Sequence, residues 1–268
     1  MKYKFVACDM DGTLLNSDYK VSEKNVEVIN RYIDAGGIFT VATGRNYHSA
    51  TMCLKELKIT APVICFHGSL IADVKTGKTV KDFAIAANDS VELLSWLREK
   101  DVYTQVYIGD LIMTEKETAI TKWYHEICGV KAIVTGQPLA DFVKKDQRGM
   151  LKILAVAEPP VASVLVEQIN AKFGGVVHAC TSRTDFVEIS CRTASKAVAI
   201  DFVLDSYGLK RSELLVIGDA MNDIPMLKIG GMSAAMENAE PQVKAAAKFV
   251  ADTNDNDGVA KVIERFCF

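Results

Sequence analysis

The chain has 268 residues, of which 49% are hydrophobic and 24% are charged, so it can form one large or two modest domains and is not expected to be disordered. A formal net charge of −3 without a lysine- and arginine-rich run disfavours a nucleic-acid-binding protein. The seven cysteines include no CxxC pair, which disfavours a zinc or thioredoxin-like site and fits a reducing compartment. Because no apolar stretch approaches the roughly 18 residues of a membrane helix and no signal peptide is expected, we predict a cytoplasmic protein without membrane contact.

The first third of the chain alternates predicted strands with predicted helices. In order, these elements are a strand at 4–8, a helix at 23–35, a strand at 38–42, a helix at 46–57, a third strand at 62–66 and a hairpin at 74–83. The first helix is expected to have Ser22 as its N-cap and to bury Val26, Ile29 and Ile33. Short apolar runs of this kind are typical of buried strands in a parallel sheet.

The pattern changes near residue 84, where pairs of strands alternate with single helices. The elements predicted there are a helix at 89–99, strands at 102–108 and 111–114, a helix at 117–127, strands near 131–135 and 149–157, a helix from 159 to 173, and strands at 176–181 and 186–190. Such a pattern indicates an α+β module with an antiparallel sheet. The alternation of helix and strand resumes near residue 193, with strands at 214–217 and 248–250.

These elements predict an α/β protein with two domains. Residues 1–83 and 191–268 would form a discontinuous Rossmann-like core with a parallel sheet, and residues 84–190 would form an inserted α+β cap. A cap of this kind commonly excludes water from an active site and selects the substrate.

Polar side chains follow three of the predicted parallel strands. Asp9 and Asp11 follow the first strand, Thr43 follows the second, and Asp219 and Asp223 follow the strand at 214–217. Ligands of such sheets bind at the carboxyl ends of the strands, so these groups should converge. Two like charges about 4 Å apart repel by roughly 4 kcal/mol at an effective dielectric near 20, so the carboxylates need a cation or a shared proton. Oxygen ligands without His or Cys favour Mg²⁺.

A site with these groups is suited to phosphoryl transfer through a covalent intermediate. Asp9 would attack phosphorus, and Asp11 would protonate the leaving oxygen and then activate water. Gly12 would let the backbone approach the phosphate, and Thr43 would donate its hydroxyl to a phosphoryl oxygen. Lys196, which lies beyond the predicted cap, would neutralise negative charge.

Four motifs in the chain resemble those of the haloacid dehalogenase superfamily. Asp9–Leu15 resembles the first motif, DxDGTLL, and Val41–Arg45 resembles the second motif in its Cof-type form. Lys196 fits the third motif, and Gly218–Leu227 resembles the fourth, GDxxNDxxML. The segment 254–260 resembles the closing signature of the same subfamily. The position of the insertion is that of the large C2-type cap of Cof-type, class IIB, members.

The resemblance implies a Mg²⁺-dependent phosphatase that acts on sugar phosphates, nucleotides or cofactor phosphates. It implies metal ligation by Asp9, the backbone carbonyl of Asp11, and Asp219, with Asp223 nearby. The residues expected to contact substrate or phosphate are Met10, Gly12, Gly44, Arg45, His67 and Asn222. An acid two positions after the nucleophile is a feature of the phosphatases and phosphomutases of the superfamily rather than of its ATPases.

The chain departs from the family pattern at three places. His67 stands where Asn is usual, Ala197 follows Lys196 where Gly is usual, and Glu237 stands where the Met-Gly-Asn-Ala stretch has Gly. None of these changes removes a catalytic group. Because His67 is at the carboxyl end of a strand, it is expected to alter substrate choice or pH dependence.

Two alternatives to a phosphatase stay open. A hexose phosphomutase shares the core and a similar cap, but it needs a second phosphate clamp, and Arg98, Arg148 and Arg183 do not suggest one. A non-enzymatic phosphoacceptor module also uses an aspartate cluster, although such modules are shorter and lack a group like Asp11 for turnover. A dehydrogenase is disfavoured because acidic residues replace the GxGxxG loop after the first strand. The expected partner is a small phosphorylated metabolite rather than nucleic acid, bound by a monomer or weak homodimer.

Overall fold

The computed structural model describes residues 2–128 and 131–268, and their contacts divide the chain into two units. The core unit comprises the residues up to Lys81 together with Ser195–Phe268. The inserted unit comprises Asp82–Ala194. Within the described ranges, none of the helices combines the length and the apolar character that a membrane crossing requires.

Strands and helices alternate through both units. In chain order, the strands are β1 (Phe5–Cys8), β2 (Ile38–Val41), β3 (Val63–Cys65), β4 (Leu70–Ala72), β5 (Thr79–Asp82), β6 (Tyr103–Ile108), β7 (Leu111–Thr114), β8 (Ile133–Val134), β9 (Lys152–Val156), β10 (Val177–Arg183), β11 (Phe186–Cys191), β12 (Leu214–Gly218), β13 (Met232–Ala235) and β14 (Phe249–Val250). The helices are α1 (Glu23–Asp34), α2 (Tyr47–Met52), α3 (Ala87–Glu99), α4 (Ala119–Cys128), α5 (Leu139–Asp146), α6 (Pro159–Phe173), α7 (Lys196–Ser206), α8 (Ile224–Ile229), α9 (Pro241–Ala246) and α10 (Gly258–Cys267).

The core unit contains a parallel sheet with strand order β14-β13-β12-β1-β2. Every residue of β1 and β12 is buried, which explains why their sequences are continuous apolar runs rather than alternating ones. Because the strands are parallel, the residues that follow β1, β2 and β12 lie at one edge of the sheet. The predicted α/β class is therefore confirmed, and this edge is where the polar groups were expected.

The predicted third strand, β3, belongs to a separate sheet and is not a full member of the parallel sheet. It pairs antiparallel with β4, in a three-stranded sheet of order β3-β4-β5. Its connection to β2 is one bridge between Ala42 and Ile64, extended by the Thr43 N–H, which donates to the Ile64 carbonyl at 2.9 Å. The hairpin predicted at 74–83 starts before residue 74 in the structure. Its first strand is the buried β4, and the turn that follows β4 begins at Asp73.

The buried side of α1 differs from the predicted one. Ser22 caps the helix as expected, and its side chain accepts a hydrogen bond from the Asn25 N–H. Val26 and Ile33, however, are only half-buried. The buried residues are Asn25, Val28, Ile29 and Tyr32. The Tyr32 hydroxyl and Oδ1 of Asn25 can face inward here because they have partners: the hydroxyl donates to a backbone carbonyl, and Oδ1 accepts the Ala260 N–H from α10.

Several elements of the core unit are shorter than predicted or were not predicted. Helix α2 ends at Met52 rather than at 57, because the next two N–H groups donate to carbonyls three residues back. The short strand β13 and the helices α9 and α10 were absent from the prediction. The segment before α10 contacts the loop after β1: the Ser17 N–H and hydroxyl donate to Asp255, and the Asn254 side chain donates to the Leu15 carbonyl.

The inserted unit contains a six-stranded sheet with order β10-β11-β9-β6-β7-β8. Its strands pair antiparallel, apart from β7 and β8, which are parallel. Helices α3, α5 and α6 contribute buried apolar residues to the core on one face of the sheet. The unit has the α+β character expected for 84–190, with α5 as a helix that the sequence pattern did not predict.

Candidate active site

A buried lysine joins two aspartates at the carboxyl edge of the parallel sheet. Lys196 is the first residue of α7, where the Ser195 side chain caps the helix by accepting the Val198 N–H. Its Nζ lies 2.5 Å from Oδ1 of Asp9 and 2.6 Å from Oδ1 of Asp223. The three residues are 2%, 5% and 0% exposed, so the ion pairs are shielded from water. The residues that follow β1 and β12 thus meet at one point, where the first residue of α7 joins them.

Asp219 brings a third carboxylate to this cluster. One oxygen from each of Asp9, Asp219 and Asp223 lies within 4.8 Å of the others. The Thr13 hydroxyl donates to Oδ1 of Asp219 at 2.6 Å. Oδ2 of Asp223 accepts the backbone N–H groups of Asp219 and Ala220, each at 3.0 Å. The turn after β12 therefore holds both of its aspartates in place.

Burial makes this concentration of negative charge unfavourable. It raises the pKa of Asp9 well above the usual range, and the charge of Asp223 raises it further, although Lys196 opposes both effects. Burial likewise raises the pKa of Asp219. For Lys196, burial lowers the pKa, but attraction by Asp223 and Asp9 outweighs it, so the pKa is raised. The lysine stays charged, and the carboxylates require a further positive charge to be fully ionised.

The donor set fits a hard divalent cation. The carboxylate oxygens of Asp9, Asp219 and Asp223 are close enough to share one ion, and oxygen donors suit Mg²⁺ rather than a soft metal. Together with Asp11 they outnumber the two nearby cationic side chains, Lys196 and Arg45, which leaves a formal charge of −2. A divalent cation would balance that charge.

Gly12 makes room for Asp219. Its φ is +78°, and a Cβ added there would lie 2.4 Å from Oδ2 of Asp219. Gly12→Ala is therefore expected to displace Asp219 and to reduce the rise in unfolding temperature that we expect on addition of Mg²⁺. Gly36→Ala is the matched control, because Gly36 also has a positive φ but a Cβ there has no atom within 4 Å. Calorimetry with and without Mg²⁺ measures the unfolding temperature of both variants. An unchanged Mg²⁺ effect in Gly12→Ala contradicts the assignment of Asp219 as a metal ligand.

Asp11 is held by an arginine rather than by the lysine cluster. Arg45 donates two hydrogen bonds to its carboxylate, at 2.8 and 2.6 Å, and these bonds raise the pKa of the guanidinium. The Arg45 N–H donates to the hydroxyl oxygen of Thr43 at 3.1 Å. Thr43 is completely buried, and this contact leaves its hydroxyl hydrogen for another acceptor. Arg45 thus contacts both the exposed carboxylate of Asp11 and the buried hydroxyl of Thr43, whose hydrogen is available for donation.

The other predicted phosphate-contacting residues lie in the same unit. Asn222 is exposed, and its Nδ2 lies 3.1 Å from Nδ1 of His67. The His67 ring is next to Gly44, where a Cβ would lie 2.3 Å from the ring carbon Cε1. The side chain of Met10 is completely buried in the core, so any contact with phosphate would involve its backbone.

Sequence reasoning missed two residues that support the site. Thr13 binds Asp219, and its place inside the first motif was the available signal. Asn238 donates from Nδ2 to the Gly12 carbonyl at 2.8 Å, and its Oδ1 accepts the Asn254 N–H. Its signal was the Met236–Ala239 stretch. Thr13 joins the loop after β1 to Asp219, and Asn238 holds the same loop from a position much later in the chain.

Comparison with known proteins gives consistent matches over nearly the whole chain. Residues 6–263 match the model of the haloacid dehalogenase-like hydrolases. The Bacillus subtilis protein named phosphatase YwpJ is 28% identical, over 97% of this chain and 99% of that protein. The B. subtilis 5-amino-6-(5-phospho-D-ribitylamino)uracil phosphatase YwtE is 26% identical, over 98% of this chain and 97% of that protein. A solved structure from Thermotoga maritima superposes with a TM-score of 0.88 and 29% identity, covering 98% of this chain and 97% of that one.

Proposed function

Because the chain belongs to the haloacid dehalogenase-like hydrolases, as its motifs suggested, we propose that it is a Mg²⁺-dependent phosphatase that hydrolyses small phosphorylated metabolites through an aspartyl-phosphate on Asp9. The relatives named as phosphatases support this activity class. The observation that carries the proposal is the buried contact of Lys196 with Asp9, beside Asp219 and Asp223.

Two displacements at phosphorus would make up the reaction. In the first, a carboxylate oxygen of Asp9 bonds to phosphorus while the bond to the leaving oxygen breaks, and Asp11 gives that oxygen a proton. In the second, Asp11 takes a proton from water as the water oxygen bonds to phosphorus. The bond between Asp9 and phosphorus then breaks, which releases inorganic phosphate and restores both carboxyl groups. The two hydrogen bonds from Arg45 favour the ionised Asp11 carboxylate, the form that takes a proton from water in the second step. For the first step Asp11 has to carry a proton, so one of its oxygens would have to give up its hydrogen bond to Arg45.

The remaining groups would bind the phosphoryl group and its charge. The Thr43 hydroxyl is suited to donate to a phosphoryl oxygen, because its own oxygen already accepts the Arg45 N–H. Lys196 would neutralise charge on Asp9 as the bond forms. Mg²⁺ would be held by Asp9, Asp219, Asp223 and the backbone carbonyl of Asp11, and it would supply positive charge to the phosphoryl oxygens.

Removal of the metal tests this proposal. Release of phosphate from p-nitrophenyl phosphate is expected to fall to background in EDTA and to return when Mg²⁺ is added in excess. Asp219→Asn is expected to raise the Mg²⁺ concentration for half-maximal activity by about tenfold or more, on the scale of weakened metal sites. Asp34→Asn removes an exposed carboxylate paired with Lys58 and serves as the matched control. Full activity in EDTA would rule out the Mg²⁺ requirement.

The proposed substrates are sugar phosphates and related phosphomonoesters. A net charge of −3 provides no general attraction for anions, so recognition would depend on local groups. The name of the relative YwtE makes 5-amino-6-(5-phospho-D-ribitylamino)uracil a sensible member of a test panel. Isomerisation of glucose 1-phosphate without net phosphate release would instead indicate a mutase, and a phosphoprotein stable for minutes would indicate a phosphoacceptor module.

The setting of the activity is a further part of this proposal. We expect a cytoplasmic enzyme that is a monomer or weak homodimer. The six cysteines whose side chains the structure describes are free thiols, which supports a reducing compartment. Sedimentation at micromolar concentration measures the oligomeric state.

A further inference from the structure

His67 lies in a backbone turn that is strained and firmly held. Phe66, His67 and Gly68 have φ values of 49°, 55° and 103°, all in the left-handed region. For a residue other than Gly this region costs about 1–2 kcal/mol, and such strain persists where surrounding structure enforces it, often at functional sites. Here the Phe66 N–H donates to the Arg45 carbonyl, and the His67 N–H donates to the Thr43 carbonyl at 2.9 Å. The turn is thus tied to the loop that carries the predicted phosphate-binding hydroxyl.

The imidazole of His67 has a defined neighbour on each side. On one side, a Cβ added to Gly44 would lie 2.3 Å from Cε1 and 2.4 Å from Nε2 of the ring. On the other side, Nδ2 of Asn222 lies 3.1 Å from Nδ1. A Cβ on Gly68 would lie 2.2 Å from the Ser195 carbonyl oxygen, so the turn also packs against the residue before Lys196. The ring therefore has little freedom to move.

The contact with Asn222 couples the orientation of the Asn222 amide to the tautomer of the His67 imidazole. With Nδ2 of Asn222 facing the ring, the amide NH₂ can only donate, so this orientation requires Nδ1 of His67 to accept and assigns the imidazole hydrogen to Nε2. If the Asn222 amide turned over, its oxygen would face Nδ1, and the ring would have to carry its hydrogen there instead. Without the imidazole, the exposed Asn222 side chain would have no such constraint.

We propose that His67 is a positioning residue that fixes the orientation of the Asn222 carboxamide in the active site. Its effect on turnover rests on the proposed function, whereas the orientation of the amide does not. The residue replaces the Asn that is usual in the family, so this device belongs to the chain itself. The arrangement also requires Gly44, because any side chain at position 44 would occupy the place of the His67 ring.

The first experiment reads the tautomer directly and needs no activity. Nitrogen NMR of protein labelled with ¹⁵N-histidine should show His67 with hydrogen on Nε2 and an unprotonated, hydrogen-bonded Nδ1. The His67→Asn spectrum identifies the signal among the four histidines. Asn222→Ala should shift the Nδ1 resonance and leave those of the other histidines in place. A ring with hydrogen on Nδ1, or a spectrum that Asn222→Ala does not change, overturns the proposal.

The second experiment uses the close approach of Gly44 to the ring. Its φ is not in the left-handed region, and the three atoms nearest to an added Cβ all belong to His67. Gly44→Ala should therefore displace the imidazole and lower kcat by about tenfold to a hundredfold, with KM within about threefold, as His67→Ala and Asn222→Ala should do. The Gly44→Ala/His67→Ala double variant should equal His67→Ala, and His67→Gln, whose amide oxygen can accept from Asn222, should recover part of the rate.

The outcomes separate the proposal from its premise. Additive losses in the double variant, or a loss confined to stability, overturn the positioning role. If the wild-type protein releases no phosphate from any substrate, the proposed function fails, and the NMR result alone decides whether His67 holds Asn222. Unfolding temperatures of all variants show whether Gly44→Ala folds, and the tautomer measurement stands if it does not.

Discussion

Asp9→Asn is expected to lower phosphate release by about 10⁴-fold or more, the scale seen when a covalent nucleophile is removed. An amide does not attack phosphorus, and the neighbouring Asp219 and Asp223 are held by hydrogen bonds of their own. The same change should leave the metal-free protein at least as stable as the wild type. Steady-state kinetics and chemical denaturation in EDTA measure the two effects.

The expected gain in stability follows from the sign of the pKa shift at Asp9. The pKa of Asp9 in the folded protein lies well above the usual value of 3.8, mainly because of burial and secondly because of Asp223. The folded protein therefore holds a proton on Asp9 more tightly than the unfolded chain does, and stability falls as the pH rises from about 4 through the folded pKa. Asn has no such charge to bury. Asp18→Asn, at an exposed position, is the control. An active Asp9→Asn protein would contradict the nucleophile assignment, and a strongly destabilised one would contradict the unfavourable burial of the Asp9 charge.

Lys196→Met is expected to have the largest effect on stability, a loss of about 3–5 kcal/mol, because it leaves buried carboxylates without their partner. Activity should also be lost, since Asp9 and Asp223 would no longer be held at 2.5 and 2.6 Å from a cation. Urea denaturation in EDTA gives the free energy of unfolding. The Lys196→Met/Asp223→Asn double variant should recover part of the loss, because it removes one of the repelling charges.

A surface pair provides the matched control for this measurement. Nζ of Lys58 also lies 2.6 Å from a carboxylate oxygen, that of Asp34, but both side chains are 57% exposed. Water and salt screen such a pair, so Lys58→Met is expected to lose far less stability than Lys196→Met. Equal losses in the two variants would mean that burial of Lys196 has no energetic role.

The sequence predicted which residues meet at the carboxyl edge of the parallel sheet, because a local pattern identifies both the strands and the residues that follow them. Buried parallel strands are short apolar runs, and the polar residues that follow them share one edge, so β1 and β12 placed Asp9, Asp219 and Asp223 together. The side chains that support them could not be found in this way. The contact of Thr13 with Asp219 spans 206 residues, and periodicity does not report contacts between distant elements.

The errors in the fold have the same physical origin. For α1, the apolar spacing predicted that Val26 and Ile33 face inward. The partner of Asn25 lies in α10 and that of Tyr32 is the Tyr3 carbonyl before β1, and these contacts outside the helix determine which side is buried. For β3, the composition indicated a strand without indicating its neighbour. The short elements β13 and α9 carry too few residues for a periodic signal.

The central position of β1 has a consequence for the order in which the molecule is assembled. Phe5 pairs with Ile38 on one side and with Leu214 on the other. During synthesis at about 5–20 residues per second, one edge of this apolar strand therefore lacks its partner for roughly 10–40 seconds. The six strands of the inserted unit, all within residues 103–191, leave the ribosome in that interval and need no later residue for their pairing. We expect the inserted unit to fold first, and a chaperone to engage the nascent chain at β1.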